Sequence, residues 1–222
     1  MIKLENVVLA SPEQIEFIIE DMRNPMNSWE KSDSGECNPI DRCYYSCNKV
    51  GCVDAVSLQR RYRTSEVYVR VTAPLYWWKD FDDTYKVGTD ANSCSTMHKI
   101  QEKEFTIEDF SCEHLSDITM EGFKKQIEYL EDLRTAYILT KDGNKCAGMS
   151  REDLWWQMIQ LLPSSYNQTR NVMMNYEVLA NIYKSRKNHK LDEWRELCKW
   201  IESLPYGELI TGKEIAYEKE TH

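Results

Sequence analysis

The sequence lacks a long apolar run, a surplus of basic residues and an evident set of catalytic nucleophiles. No stretch approaches the roughly 20 apolar residues that a membrane-spanning helix needs. The formal net charge is −9, from 37 acidic and 28 basic side chains, whereas sequence-independent nucleic-acid binding relies on Lys and Arg. No Cys/His or Ser/His/Asp arrangement for nucleophilic catalysis stands out. The sequence therefore predicts a protein whose partner is neither a membrane nor a nucleic acid.

The first residues also lack the features of a secretory signal. The segment 1–5 has one basic residue and no apolar core, so we expect a cytoplasmic protein with reduced thiols. A chain of 222 residues with 41% hydrophobic content suits one compact domain. We expect a single domain over residues 1–222, with a Cys-rich insertion at about 31–57.

What is present is a mixture of strand and helix patterns. Residues 7–10 read as a short strand, and Ser11 with Gln14 forms a capping box for a helix that runs to about Arg23. Residues 66–73 alternate and are rich in β-branched side chains, which predicts a strand that continues through 74–81.

Apolar residues at helical spacing predict the remaining elements. Three of the expected helices cover 118–140, 167–185 and 191–203. Another begins after its cap, Ser150, and is terminated by Pro163. The sequence thus predicts an α+β fold with two or three strands and four or five helices.

Four cysteines are clustered in the expected insertion. They lie within 16 residues of one another: Cys37, Cys43, Cys47 and Cys52. Clustered thiols in a reducing compartment favour tetrahedral zinc coordination over disulfides. The alternative, which also stays open, is four unligated cysteines in a loop.

A run of hydroxyl and amide side chains follows the aromatic segment. Residues 92–96 read Asn-Ser-Cys-Ser-Thr, and His98 and Lys99 come directly after them. Such a loop can bind a phosphate or a pyrimidine edge through side chains and backbone N–H groups. The alternative is an ordinary polar turn.

Polar residues also recur in the third quarter of the chain. Arg170 and Arg195 can each offer a forked guanidinium to an anion, and Asn175 lies between them. Arg195 has an alternative role as the ion-pair partner of Asp192, three residues earlier on the same helix face. For His189 we expect a capping or packing role rather than an acid–base role.

Together these motifs resemble the flavin-dependent thymidylate synthases over about residues 66–203. That family has Leu-Pro, a Thr, an Asn two residues before an Arg, and then an Arg followed by Ala-Gln-x-Glu-Ile-Arg. This chain has Leu162-Pro163, Thr169 and Asn175, and Glu193-Trp194-Arg195 stands for Glu-Ile-Arg.

The chain departs from the family at several basic positions. The family motif R-H-R-x-x-S-x-N-x-x-S-x-R-Y aligns with Asn92 and Ser95 on its Asn and second Ser. Its three arginines then fall on residues of other types: Tyr85, Val87 and Met97. Glu177 stands where the family has a nucleotide-binding Arg, and an acidic group there would repel a phosphate.

The resemblance implies a fold with a small antiparallel sheet and long helices. It implies FAD, a nicotinamide reductant and methylenetetrahydrofolate, and the reductive methylation of dUMP to dTMP without a protein nucleophile. It also implies a homo-oligomer, a tetramer in the family. The expected substrate ligands are Arg195, Arg170, Asn175 and Ser95. The expected cofactor ligands are Asn92, Lys86, His98 and Lys99.

Two other functions remain open. The same fold could bind or sequester a nucleotide or another anionic small molecule without turnover, and the replaced arginines favour this alternative. A module that zinc orders for protein interaction is the third hypothesis.

Overall fold

The structure is a computed structural model that describes residues 1–11, 13–14, 66–85, 89–93, 96–140, 143–205 and 207–211. The strands are β1 (Lys3–Leu9), β2 (Glu66–Pro74), β3 (Thr89–Ser93) and β4 (Asn167–Asn175). The helices are α1 (Leu75–Tyr85), α2 (Thr96–Lys99), α3 (Asp117–Leu139), α4 (Arg151–Leu161), α5 (Tyr176–Arg186), α6 (Asp192–Glu202) and α7 (Gly207–Thr211), with a 3-10 turn at Ile107–Asp109.

The strands form one small antiparallel sheet in the order β1-β2-β4-β3. In β2 the alternation predicted from the sequence is present, because Val67, Val69 and Val71 are buried and the residues between them are not. Thr72 of β2 shares a hydrogen bond with Thr169 of β4 at 2.7 Å. The predicted fold class, α+β with a small antiparallel sheet and long helices, is confirmed.

The extension of the second strand through residues 75–81 was wrong, because α1 begins at Leu75. Trp77, Trp78 and Phe81 are spaced for one side of a helix, and all three are buried. The two indole rings lie 4.9 Å apart, and Trp78 donates a hydrogen bond from Nε1 to the carbonyl of Gln168 at 2.9 Å.

The single helix predicted over 167–185 was also wrong. Residues 167–175 form β4, and only from Tyr176 onward is the chain helical. The helices predicted over 118–140, from Ser150 to Pro163 and over 191–203 agree with α3, α4 and α6 to within a residue or two. Most of the helix predicted from Ser11 to about Arg23 lies outside the described residues. The predicted capping box at Ser11 is present. The Ser11 amide donates to Gln14 Oε1 at 2.7 Å, and the Gln14 amide donates to Ser11 Oγ at 3.2 Å.

The chain divides into two compact units. One comprises the described residues of 1–4, 70–84 and 91–171, and the other the described residues of 5–69, 85–90 and 172–222. In the first unit, α3 packs against α4 over an apolar core that includes Leu130, Leu154 and Met158. Complete burial of each such side chain contributes about 1.5–3 kcal/mol.

In the second unit, α5, α6 and α7 pack against one another. Trp194 and Leu197 of α6 and Leu179 of α5 have no exposed surface. Hydroxyl groups join the elements at their edges: Tyr183 donates to the Glu202 carboxylate at 2.6 Å, and Tyr176 donates to the Pro205 carbonyl at 2.7 Å. The buried stripe along α6 positions the turn before it, residues 187–191.

None of the helices in the described part of the chain is long and apolar enough to span a membrane.

Candidate functional site

Arg170 lies in β4 and is tied to α1. Its Nη1 donates to both carboxylate oxygens of Asp82 at 2.9 Å, and its Nε donates to Gln168 Oε1 at 2.8 Å. The guanidinium carbon lies 4.2 Å from the centre of the Trp78 ring. The fork that the sequence assigned to a substrate phosphate therefore already holds a carboxylate, and an anionic ligand would have to compete with Asp82.

Asn175 marks the junction between β4 and α5. Its backbone is extended, and its side-chain Oδ1 accepts a hydrogen bond from the amide of Val178 at 3.0 Å. This is the N-cap geometry that satisfies one of the free amide groups at a helix start. The amide side chain predicted to contact substrate thus has a local structural role.

Arg195 fastens the turn between α5 and α6. Its Nη1 donates to the carbonyls of His189 and Lys190 at 2.8 and 2.9 Å, and its Nη2 pairs with the Asp192 carboxylate. The side chain is 43% exposed. The ion pair with Asp192 considered as an alternative is therefore present, and Arg195 holds the turn in shape while its outer surface faces solvent.

His189 lies inside the same turn. Its Nδ1 accepts a hydrogen bond from the amide of Leu191 at 3.2 Å, and its ring lies 6.3 Å from that of Trp194. This is the capping role expected for His189.

A cation lies against a pair of aromatic rings beside this turn, and the sequence did not predict it as part of a site. The Arg186 guanidinium lies 5.0 Å from the Trp194 ring centre and 5.7 Å from that of Tyr85. Arg186 Nε donates to the Tyr85 hydroxyl at 3.1 Å, and that hydroxyl shares a hydrogen bond with Ser185 at 2.6 Å. About 100 residues separate Tyr85 from its partners, and no local sequence signal joins them.

The α5–α6 turn has a charge opposite to that of the chain. Between residues 184 and 195 there are five Lys or Arg and two carboxylates, in a chain of net charge −9. One carboxylate, Asp192, is paired with Arg195, and the other, Glu193, is buried. Leu191 occupies the N-cap of α6 and makes no side-chain hydrogen bond to the first-turn amides. Cations and helix-start amides together favour an anion.

The segment predicted to hold the cofactor is only partly described. Asn92 is exposed in β3, and His98 and Lys99 are exposed in α2. Ser95 and Lys86 lie outside the described residues. Lys99 Nζ forms an ion pair with Glu102 at 3.1 Å. The described part of 89–99 therefore offers one cation, already paired, and does not fit the doubly charged diphosphate of FAD by itself.

The predicted site residues belong to different units. Arg170, Asn92, His98 and Lys99 are in the first, whereas Asn175 and Arg195 are in the second. Within the described residues of each unit, no hydrogen bond or ion pair joins two of these side chains.

The predicted zinc ligands, Cys37, Cys43, Cys47 and Cys52, lie outside the described residues. In the part of the chain that the structure describes, no group of three or more Cys, His, Asp or Glu side chains could hold a metal ion. Cys198 is described and buried, and burial raises the pKa of its thiol to about 11. Zinc binding stays a prediction.

Comparison with known proteins identifies the fold. No family model matches the sequence, and no curated protein matches it. Two solved structures of the flavin-dependent thymidylate synthase ThyX from Helicobacter pylori, each with FAD and dUMP, match at 15% identity. The first match covers 94% of this chain and 95% of the ThyX chain, with a TM-score of 0.59. The second covers 92% of this chain and 96% of the ThyX chain, with a TM-score of 0.61.

A second kind of enzyme has a similar fold. The UMP/dUMP methylase PolB from Streptomyces cacaoi, bound with 5-Br dUMP, is 11% identical; the match covers 91% of this chain and 89% of that one, with a TM-score of 0.55. Identities this low establish the fold alone. The chain therefore has the fold of these nucleotide-methylating enzymes over nearly its whole length.

Proposed function

We propose that this chain binds a pyrimidine nucleotide, with the α5–α6 turn receiving the phosphate. The observation that carries the proposal is the concentration of positive charge at this turn in an acidic chain. The fold supports the nucleotide as the ligand class, since the similar structures hold dUMP, UMP analogues or FAD.

Within this proposal the residues of the turn have separate roles. Arg195 keeps the carbonyls of His189 and Lys190 in place, so it positions the turn and presents its exposed edge to the phosphate. Lys187 and Lys190 are exposed and add point charges to the same surface.

Reductive methylation of dUMP to dTMP with FAD and methylenetetrahydrofolate is the second candidate. The extent of the match to enzymes crystallised with FAD and dUMP favours it. The three motif arginines of the family are replaced here by Tyr85, Val87 and Met97, and their absence weighs against this reaction. A nucleotide-binding protein without turnover is thus the function that the described residues support best.

Calorimetric titration of the full chain with dUMP, UMP and deoxyuridine tests the binding proposal. We expect dUMP or UMP to bind, and deoxyuridine to bind at least about tenfold more weakly, because hydrogen bonds to a charged group are worth about 1.5–3 kcal/mol. Equal affinities for dUMP and deoxyuridine, or no binding of any of the three, would refute a phosphate site.

A matched pair of variants locates the phosphate. Lys190→Ala removes a cation from the turn, and Lys199→Ala removes one from the last turn of the same helix region. We expect the first to weaken dUMP binding several-fold and the second to leave it unchanged. Equal effects would mean that net charge alone governs binding.

The enzyme alternative has its own readout. The protein is mixed with FAD, desalted and inspected for the visible absorption of oxidised flavin, then assayed for dTMP with NADPH and methylenetetrahydrofolate. Retained flavin and dTMP formation would establish the enzyme. Binding of dUMP without either would establish a binding protein.

A further inference from the structure

Three lysines follow one another at intervals of three residues along the end of α5 and the turn after it. They are Lys184, Lys187 and Lys190, and we name them the lysine row. All three side chains are exposed. Within the described residues, none of their ammonium groups forms a hydrogen bond or an ion pair. The turn therefore carries three cations to which the described chain gives no counter-charge.

The two arginines of the same segment differ from the lysine row. The Arg195 guanidinium pairs with Asp192 and with two backbone carbonyls, and the Arg186 guanidinium lies against two aromatic rings. Contacts inside the chain thus account for both arginines. In the row, only the Lys187 ammonium has a comparable contact, at 5.7 Å from the centre of the Tyr183 ring. The unneutralised charge of the turn therefore lies on the lysine row.

The helix dipole explains only part of the lysine row. Lys184 is in the last turn of α5 and Lys187 is its C-cap, where the end of the helix attracts a cation. Lys190 lies two residues before Asp192, the first residue of α6, and the start of a helix disfavours a cation. An anion beside Lys190 would remove this penalty, and the described chain supplies none to its ammonium.

The backbone that carries the row is held in place. The Lys187 amide donates to the Tyr183 carbonyl at 3.2 Å, and Arg195 binds the carbonyl of Lys190 at 2.9 Å. Lys184 and Lys187 are three residues apart on α5, so their side chains are neighbours on one face of the helix. A ligand that binds the three lysines does not have to order their backbone, and this lowers the entropic cost of binding.

Charge and spacing together indicate the size of the anion. A single phosphate group carries a charge of about −1.5 to −2 at pH 7, which does not neutralise three lysines. The row also extends over six residues, from Lys184 to Lys190. A chain of phosphate groups gains negative charge with each group and can extend along the row. The lysine row therefore favours a polyphosphate over a monophosphate.

We propose that the nucleotide bound at this turn is a pyrimidine nucleoside di- or triphosphate. Its first phosphate lies at Arg195 and Lys190, and its outer phosphates lie along Lys187 and Lys184. This inference rests on the proposed function, which supplies the nucleotide and the place of its first phosphate. It adds the class of nucleotide, and it assigns to Lys184 the role of binding the outer phosphates.

Calorimetric titration of the full chain with dUMP, dUDP and dUTP, at one ionic strength and without divalent cations, tests this inference. We expect the affinity to rise with each phosphate, and dUTP to bind about tenfold or more tightly than dUMP, because each added group bonds to a charged lysine. If dUMP binds and dUTP binds no more tightly, the inference is wrong and the proposed function stands. If none of the three binds, the proposed function fails and the inference fails with it.

Variants of single lysines separate the row from the net charge of the protein. Lys184→Ala removes the outermost cation and should lower the ratio of dUTP affinity to dUMP affinity several-fold, and Lys184→Arg should restore that ratio. Lys199→Ala makes the same charge change in the last turn of α6 and should leave the ratio unchanged. If the two alanine variants lower the ratio equally, the lysine row does not bind the outer phosphates.

Inorganic triphosphate separates a nucleotide site from a general site for polyanions. Under the same conditions it should bind the full chain more weakly than dUTP, because it lacks the nucleoside. Binding of inorganic triphosphate as tight as that of dUTP would mean that the turn recognises charge alone, and it would overturn the assignment of a nucleotide.

Discussion

Arg170 and Arg195 differ in how exposed they are and in how far along the sequence their hydrogen-bond partners lie. Arg170 is 16% exposed, and its carboxylate partner, Asp82, is 88 residues away in the sequence. Arg195 is 43% exposed, and its partners lie three to six residues before it. An arginine with long-range partners joins elements of the fold, whereas one with local partners shapes a turn and stays available at the surface.

Replacement of Arg170 should give the largest change in stability. Arg170→Ala removes the bond to Asp82 and uncovers the Trp78 ring, and we expect the free energy of unfolding to fall by about 1–2 kcal/mol. Urea denaturation measures it. Arg170→Lys keeps the charge without the fork and should recover only part of the loss. An unchanged midpoint for Arg170→Ala would mean that this arginine is not a structural link.

The cap at Asn175 should have the next largest effect. Asn175→Ala leaves the amide of Val178 without its acceptor and should cost about 1 kcal/mol. Asn175→Asp or Asn175→Ser keeps an acceptor and should be nearly neutral. If all three variants unfold alike, or if Asn175→Ala changes dUMP affinity without changing stability, Asn175 is a ligand residue rather than a cap.

A third ion pair extends the comparison to α3. Arg134 beside Glu131, together with the Phe105 amide, holds the pKa of the Glu131 carboxyl below its usual range. A lowered folded-state pKa gives stability that is present above the ordinary glutamate pKa and is lost as pH falls through the folded value.

The expected effect of this pair is below about 1 kcal/mol, because both side chains are partly exposed and solvent screens them. Glu131→Gln should therefore be less stable than the unchanged protein at pH 7, and the gap should close as pH falls below about 4.5. Thermal unfolding between pH 3 and 7 measures the gap. Glu152→Gln, on the exposed surface of α4, is the control, and a gap that is constant with pH would contradict the pair.

The sequence was sufficient where local pattern and tertiary environment agree. The alternation of β2 and the helical spacing of α3 each reflect burial of one face, so both elements were predicted correctly. The caps at Ser11 and Ser150 are formed by residues three positions apart, and such local bonds can be read from the chain.

The errors have a common physical cause. Val172, Tyr176 and Leu179 are all buried and happen to be spaced for a helix, although Val172 is in β4 and the other two are in α5. Pairing with β2 makes residues 167–175 a strand, and that pairing has no local signature. In α1 the aromatic residues favoured a strand by type, but their spacing is helical and Pro74 ends β2.

The candidate site was harder to predict than the fold. Arg170, Asn175 and Arg195 were named from the sequence, but their internal partners became visible only when distant segments were placed together. Tyr85 is the clearest case, because its bonds to Ser185 and Arg186 join residues about 100 positions apart.

The central claim is that the α5–α6 turn receives the nucleotide phosphate, and paired titration of Arg195→Ala and Arg170→Ala with dUMP tests it most directly. We predict that Arg195→Ala weakens dUMP binding by about 1.5–3 kcal/mol and lowers the melting temperature by less than Arg170→Ala does. Arg170→Ala should lower the melting temperature and leave dUMP affinity nearly unchanged. If Arg195→Ala instead melts at a much lower temperature and binds dUMP as tightly as the unchanged protein does, the turn is structural and the account is wrong.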